Sequence, residues 1–260
     1  GHRPGASACH PLRHASQIMM LDTLSLEKTP STELEPSVND GSRVEKLNGG
    51  KRRSQADRSA ATRAKVISAA RDILFAQGYS GATMHAIRDA AGISLGAIQH
   101  QFPTKAKIMA AVVEEVSSKQ AKAYAEAIRR GGTPRESLEN LLDVNFDGIN
   151  RPERAALLEI HLARRNDPDL DREVEPSARR FGRRVRLWTY FILRAAGVND
   201  TRLLVSLQLL NNAMTEGLTV EFIRHQDAAI IKQAIQIWRR QLLALAFDVS
   251  AADSLEQAAS

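Results

Sequence analysis

The sequence predicts an all-α protein, with an N-terminal three-helix domain carrying a helix-turn-helix and a larger C-terminal helical domain. Three observations predict it. Apolar side chains recur at three- and four-residue intervals from about residue 57 onward. Glycine and proline fall between these stretches rather than within them, with few exceptions. Aromatic residues make up only 5% of the 260 residues, while Ala, Leu and Arg, which favour helix, dominate the long stretches.

Residues 1–55 hold scattered Pro, Ser, Thr, Asn and Gly without lasting periodicity, so a disordered extension is expected. The run Lys51-Arg52-Arg53 closes it and reads equally as a basic arm for DNA phosphates or a solubilising linker. The first helix begins near Asp57. Val66, Ala70, Ile73, Leu74 and Gln77 form its buried stripe, with Ile67 and Phe75 beside it, and Gly78 supplies a left-handed terminus. Thr83 caps a second helix to about Ala91, whose Ala86, Ala90 and Ala91 are small enough for a close crossing. Gly92 breaks it, Ile93 drops into the core, and Ser94 caps a third helix to about Gln101. Phe102 and Pro103 end that helix, since a residue before proline is driven from the helical region. Thr104 caps a fourth helix to about Arg130. Two helices joined by a short glycine-containing turn form the helix-turn-helix arrangement, with a generic three-helix bundle as the alternative.

Beyond Gly131-Gly132, helices are expected over 134–148, 152–165, 169–196, 201–224 and 227–246. Pro176 and Gly182 make 169–196 either two helices or one kinked helix. The last two carry apolar faces wider than a core stripe and could close a four-helix bundle with a second copy. The expected organisation is an extension over 1–55, a helix-turn-helix domain over 56–104 with its motif at 83–102, a helical domain over 105–248, and a flexible tail over 249–260.

Charge is unevenly placed. Of the 36 basic and 30 acidic residues, residues 51–107 hold 10 and 3, while residues 108–260 hold 21 of each. The positive excess therefore sits on the helix-turn-helix segment, as a nucleic-acid partner requires. One cysteine, Cys9, excludes a disulfide framework and any multi-cysteine metal site. No phosphate-cradling loop, metal-ligand spacing or nucleophile elbow occurs, so neither an enzyme nor a cofactor or metal is expected. His161 beside Glu159 or Asp167 is too ordinary a combination to carry acid–base chemistry. No apolar run of membrane-span length and no signal-type N-terminal run occurs, so a cytoplasmic location is expected.

The candidate DNA-binding residues are Thr83, Arg88, Ser94, Leu95, Ala97, Gln99, His100, Gln101 and Lys105. A recognition helix lays its N-terminal part against base edges. Gln99 suits an adenine edge, Leu95 and Ala97 a thymine methyl, and His100 a phosphate. Arg88 could reach DNA or pair with Asp89 or Asp72. Lys105 and Lys107 oppose the dipole at the start of the fourth helix, and a docked phosphate would reverse that penalty. The other occupant of this basic surface would be an acidic protein partner, making the chain a helical interaction module.

The stretch from Ile67 through Tyr79, followed by Thr83, Ile87, Ala91-Gly92-Ile93-Ser94, Gly96, Phe102 and Lys105, resembles the TetR family of regulators over roughly 50 residues. The resemblance implies an all-helical homodimer that binds double-stranded, pseudo-palindromic DNA. It implies repression of transcription, with release when a small molecule enters a cavity of the C-terminal domain. The chain departs from the family pattern in having Gln99 for an aromatic, Gln101 for a histidine, Arg88 for a small residue, and Ala106 for a glutamate after Lys105. These departures imply an altered operator preference. Candidate pocket residues are Phe146, Leu158, His161, Leu162, Trp188, Phe191 and Met214, most of them equally readable as ordinary core. Arg164, Arg165 and the cluster from Arg179 to Arg186 read either as attracting an anion or as solvated helix faces.

Overall fold

The computed structural model describes residues 54–225 and 227–247, and every regular element among them is helical. The order is α1 (Gln55–Gly81), α2 (Met84–Ala91), α3 (Leu95–Gln101), α4 (Lys105–Arg130), α5 (Pro134–Phe146), α6 (Pro152–Ala163), a 3-10 turn (Arg164–Asn166), α7 (Pro168–Ala195), α8 (Thr201–His225) and α9 (Ala228–Phe247). Cys9, the basic run at 51–53 and the tail at 249–260 lie outside the described residues, as does nearly all of the expected extension.

α1 starts two residues before the expected Asp57. The Ser54 hydroxyl accepts from the Asp57 N–H at 3.1 Å, and the Asp57 carboxylate accepts from the Ser54 N–H at 3.1 Å. This capping box uses aspartate where glutamate or glutamine is usual, which hides it in the sequence. Val66, Ile67, Ala69, Ala70, Ile73 and Leu74 are buried, whereas Gln77 is exposed and Phe75 is 44% exposed. The buried stripe therefore ends at Leu74, short of the predicted Gln77, and takes in Ile67 and Ala69. At Gly78 the backbone leaves the helical region, with φ 71° and ψ −176°. A side chain there would be strained, and its Cβ would lie 3.0 Å from a Glu159 carboxylate oxygen.

Thr83, Ser94, Thr104 and Thr133 cap α2, α3, α4 and α5, each accepting from the N–H three residues on. The sequence placed the first three of these caps. α7 runs unbroken through Pro176. The lost backbone bond is tolerated because Leu170 and Val174 anchor one end of the helix, and Ile192 and Leu193 the other.

The core has two lobes. The first joins α1–α3 to the start of α4, to α6 and to the start of α7, with Ile87, Ile98, Phe102 and Ile108 buried at its centre. The second joins the end of α4 to α5, the end of α7, α8 and α9. Helices α4 and α7 pass through both lobes and form the spine. Among the described residues, no helix is long and apolar enough to cross a membrane.

Candidate nucleic-acid interface and internal cavity

Helices α2 and α3 meet at Gly92, whose φ of 63° and ψ of 39° place it in the left-handed region. Its N–H donates back to the Arg88 and Asp89 carbonyls at 3.0 and 3.3 Å. This is the turn a helix-turn-helix needs, because an L-residue pays a steric penalty there. Ile98 is fully buried and fixes the rotation of α3. The opposite face presents Ala97, Gln99 and His100 to solvent, with Leu95 half-buried beside them. The side chains of Gln99 and His100 make no hydrogen bond with the described residues.

The remaining candidates are engaged within the protein. Thr83 and Ser94 spend their hydroxyls as caps, accepting from Ala86 and Ala97 N–H at 3.1 and 3.3 Å. Arg88 pairs with Asp89 at 2.6 Å. Gln101 donates to the Ser59 hydroxyl and ties α3 to α1. Arg63 of α1 covers the Phe102 ring at 4.8 Å, a brace the sequence did not reveal. His85 is also exposed, at the start of α2.

Lys105 is placed differently from expectation. Its ammonium donates to the Tyr79 carbonyl at 2.6 Å and lies 3.6 Å from the centre of the Tyr79 ring. Burial lowers its pKa, against the pull of Asp167. A carbonyl and an aromatic face therefore offset the dipole penalty that seemed to call for phosphate. Lys107 pairs with Glu173 at 3.2 Å.

Tyr79 is the centre of a junction. Its N–H donates to Glu159 Oε2 of α6 at 2.9 Å, and its hydroxyl donates to Asp167 Oδ2 at 2.9 Å. Asp167 Oδ1 also caps α7 by accepting from the Leu170 N–H at 2.9 Å. Burial and the Asp167 hydrogen bond push the Tyr79 phenol up to about 12. The Leu170 N–H and the Tyr79 hydroxyl hold the Asp167 carboxyl below its ordinary value. Four helices are thus pinned at the end of α1 by residues 80 and 88 positions apart.

A cavity of about 370 Å³, open on one side, lies between α4, α6, α7 and α8. Leu157, Leu158, Phe181 and Val185 supply its apolar wall. Of the candidate pocket residues, Leu158 and His161 line it. Phe146 is buried in the second core lobe, and Trp188 and Met214 pack against that lobe. Phe191 meets Tyr190 edge-on, and Leu162 is 64% exposed. Helical periodicity cannot separate such positions, since core and cavity share one face.

A polar chain runs into the cavity wall. Gln120 donates to the Tyr124 hydroxyl at 2.8 Å, which donates to Asn145 Oδ1 at 2.8 Å, while the Asn145 amide donates to Thr215 Oγ1 at 2.9 Å. Arg154 Nη2 donates to Asn145 Oδ1 at 3.0 Å and to its backbone carbonyl at 3.2 Å. Arg164, considered above as an anion site, is instead paired with Asp171 and Glu175, and Arg179 and Arg180 are paired with Glu175 and Glu114. No group of three or more metal-ligating side chains occurs among the described residues.

The model of bacterial regulatory proteins of the tetR family matches residues 66–112, from the middle of α1 through the first part of α4. The chain is 44% identical over 64 residues to the HTH-type transcriptional regulator CymR of Pseudomonas putida, covering 25% of this chain and 32% of that protein. It is 31% identical over 110 residues to the transcriptional repressor AcnR of Corynebacterium diphtheriae, covering 41% and 52%. The chain thus spans between about a third and 60% of the curated relatives it matches. In fold it is similar to the regulator FadR of Bacillus subtilis in complex with stearoyl-CoA, with a TM-score of 0.58, 14% identity, and coverage of 71% of this chain and 97% of that one.

Proposed function

We propose, from the match of residues 66–112 to the model of bacterial regulatory proteins of the tetR family, that the chain is a transcriptional repressor of that family, not an enzyme, that binds a two-fold symmetric DNA site as a homodimer and releases it when a small molecule occupies the cavity. One observation carries the DNA reading. α3 is held at its back by Ile98 and presents Gln99 and His100 outward with their hydrogen-bonding capacity unspent by the described residues. Such groups, on a helix rotated by its own core residue, can be used on base edges.

Thr83 and Ser94 stand at helix N-termini, where a hydroxyl serving as a cap can still donate to a phosphate. Lys105 supports the surface by fixing the end of α1 rather than by reaching out. The dimer reading is supported by the apolar surface of α8 and α9. Of the eleven large apolar side chains that remain exposed among the described residues, seven lie on these two helices, and five of those lie outside the cavity lining. Ligand response is supported by the cavity, and FadR shows only that a protein of this fold was solved with a small molecule.

Selection of duplexes from a random pool by the purified protein tests the reading. The expected result is an inverted repeat whose half-sites lie one helical turn apart, bound with strong salt dependence. A pool that shows no enrichment at low salt would overturn it.

A further inference from the structure

On the wall of the cavity between α4, α6, α7 and α8, Arg154 is a half-buried cation that meets no counter-charge among the described residues. Arg154 stands half-buried on the cavity wall, hydrogen-bonded to Asn145 and facing the Tyr124 hydroxyl. Among the described residues no carboxylate lies within ion-pair distance of it. This sets it apart from Arg164, Arg179, Arg180 and Arg239, each of which meets an acidic side chain. A guanidinium withdrawn from water is costly without an anion. Its neighbours here are neutral acceptors that orient it rather than neutralise it. Asn145 is held by Thr215 and Tyr124, and all three are buried, so the guanidinium rests on a rigid polar frame.

The other ionisable groups on the wall are His161, Arg186 and Glu216. Arg186 and Glu216 are exposed at the rim, and His161 has the Arg164 cation 3.2 Å from its Nδ1. The volume, about 370 Å³, suits a compact organic molecule rather than a polymer segment or a long lipid chain. Leu157, Leu158, Phe181 and Val185 would cover its apolar body.

We propose that the cavity binds a compact organic anion whose carboxylate pairs with the Arg154 guanidinium and whose apolar body packs against α6 and α7. Asn145 takes the Nη2 hydrogens of Arg154 on its side-chain and backbone oxygens and so fixes the plane of the guanidinium, which leaves the remaining N–H groups to meet the carboxylate in charge-assisted hydrogen bonds. This inference rests on the reading of the helical domain as an effector domain, and it names the chemical class of the effector.

Calorimetric titration of the full chain with hexanoate, octanoate and phenylacetate, each against its primary amide and corresponding amine, tests the inference. At least one carboxylate binds, and its amide binds about ten- to hundredfold more weakly. Arg154→Gln loses the preference for carboxylate over amide, while Arg154→Lys, which keeps charge without the fork, retains part of it. Circular dichroism and a thermal melt of both variants confirm that the fold is intact. Equal binding of acid and amide, preference for the amine, no binding by any carboxylate, or undiminished preference in Arg154→Gln overturns the inference. Release of the selected duplex is measured in parallel. A carboxylate that binds through Arg154 without changing DNA affinity leaves the anion site standing and refutes the effector role. A neutral or cationic compound that releases DNA does the reverse.

Discussion

Asp167 does two jobs with two oxygens. One accepts from the Leu170 N–H and starts α7, and the other accepts from the Tyr79 hydroxyl at the end of α1. Both favour the charged form, so its folded pKa lies below its unfolded value of about 3.9. A carboxyl depressed in this way adds stability that is fully present above the unfolded pKa and is lost as pH falls through the folded one. Asp167→Asn keeps an oxygen for the cap but removes the charge. Wild type should therefore exceed this variant in stability at pH 7, and urea unfolding should show the gap closing as the pH drops below about 4. A gap independent of pH would mean that the hydrogen bonds, not the charge, carry the effect. At the same scale, Gln99 is exposed and makes no hydrogen bond with the described residues. Gln99→Ala should move stability by less than about 0.5 kcal/mol. It should nevertheless change which base is selected at one position of each half-site, read by repeating the duplex selection.

At the scale of elements, local chemistry made most of the fold legible. Thr83, Ser94 and Thr104 are caps because a hydroxyl three residues ahead of a free N–H is a short-range device. Gly92 marks the turn because only the backbone at that residue decides it. The candidate site was half legible. Exposure of Ala97, Gln99 and His100 follows from burial of Ile98 on a seven-residue helix. The engagement of Lys105 by Tyr79 and of Gln101 by Ser59 does not, since it depends on how α1 crosses α3 and α4. The pairings of Tyr79 with Glu159 and Asp167 span 80 and 88 residues, and the sequence offers no period that links them. α6 is the element most exposed to this blindness. It carries Arg154, Leu158 and His161 to the cavity and Glu159 to the backbone of Tyr79. A ligand that shifts α6 must therefore disturb the end of α1, the helix on which α2 and α3 are packed. Glu159→Ala removes that hydrogen bond, keeps the Arg71–Glu153 pair and the buried packing between α1 and α6, and changes no residue of the cavity wall. Its expected signature is unchanged ligand affinity, with the ligand's effect on DNA affinity reduced. Ligand titrations with and without duplex measure both quantities, and an undiminished effect would place the coupling elsewhere.

At the scale of the molecule, large apolar side chains outside the two core lobes concentrate on α8 and α9, and two of them, Val205 and Leu209, also line the cavity. Val205, Leu209, Leu210, Val220 and Ile223 on α8, with Ile230 and Ile237 on α9, remain exposed. Exposure of that many large apolar groups on two neighbouring helices is what an interaction surface requires. Between the exposed positions of α8 lie Ala213 and Gly217, themselves exposed and small enough for a second helix to approach closely. Gly217 separates folding from assembly. A Cβ there would meet nothing within 4 Å in the protomer, and the residue sits inside a regular helix. Replacing it with a larger residue should raise helix propensity, by up to about 1 kcal/mol, and leave the protomer folded. In a dimer closed through α8, the same change inserts a long cation into the packed seam. Gly217→Arg is therefore expected to sediment as a folded monomer at concentrations where wild type is a dimer. It is also expected to bind an isolated half-site as wild type does, while losing affinity for the full inverted repeat, because two half-sites gain from one linked pair of recognition helices. A Gly217→Arg dimer indistinguishable from wild type would move the interface off this face of α8.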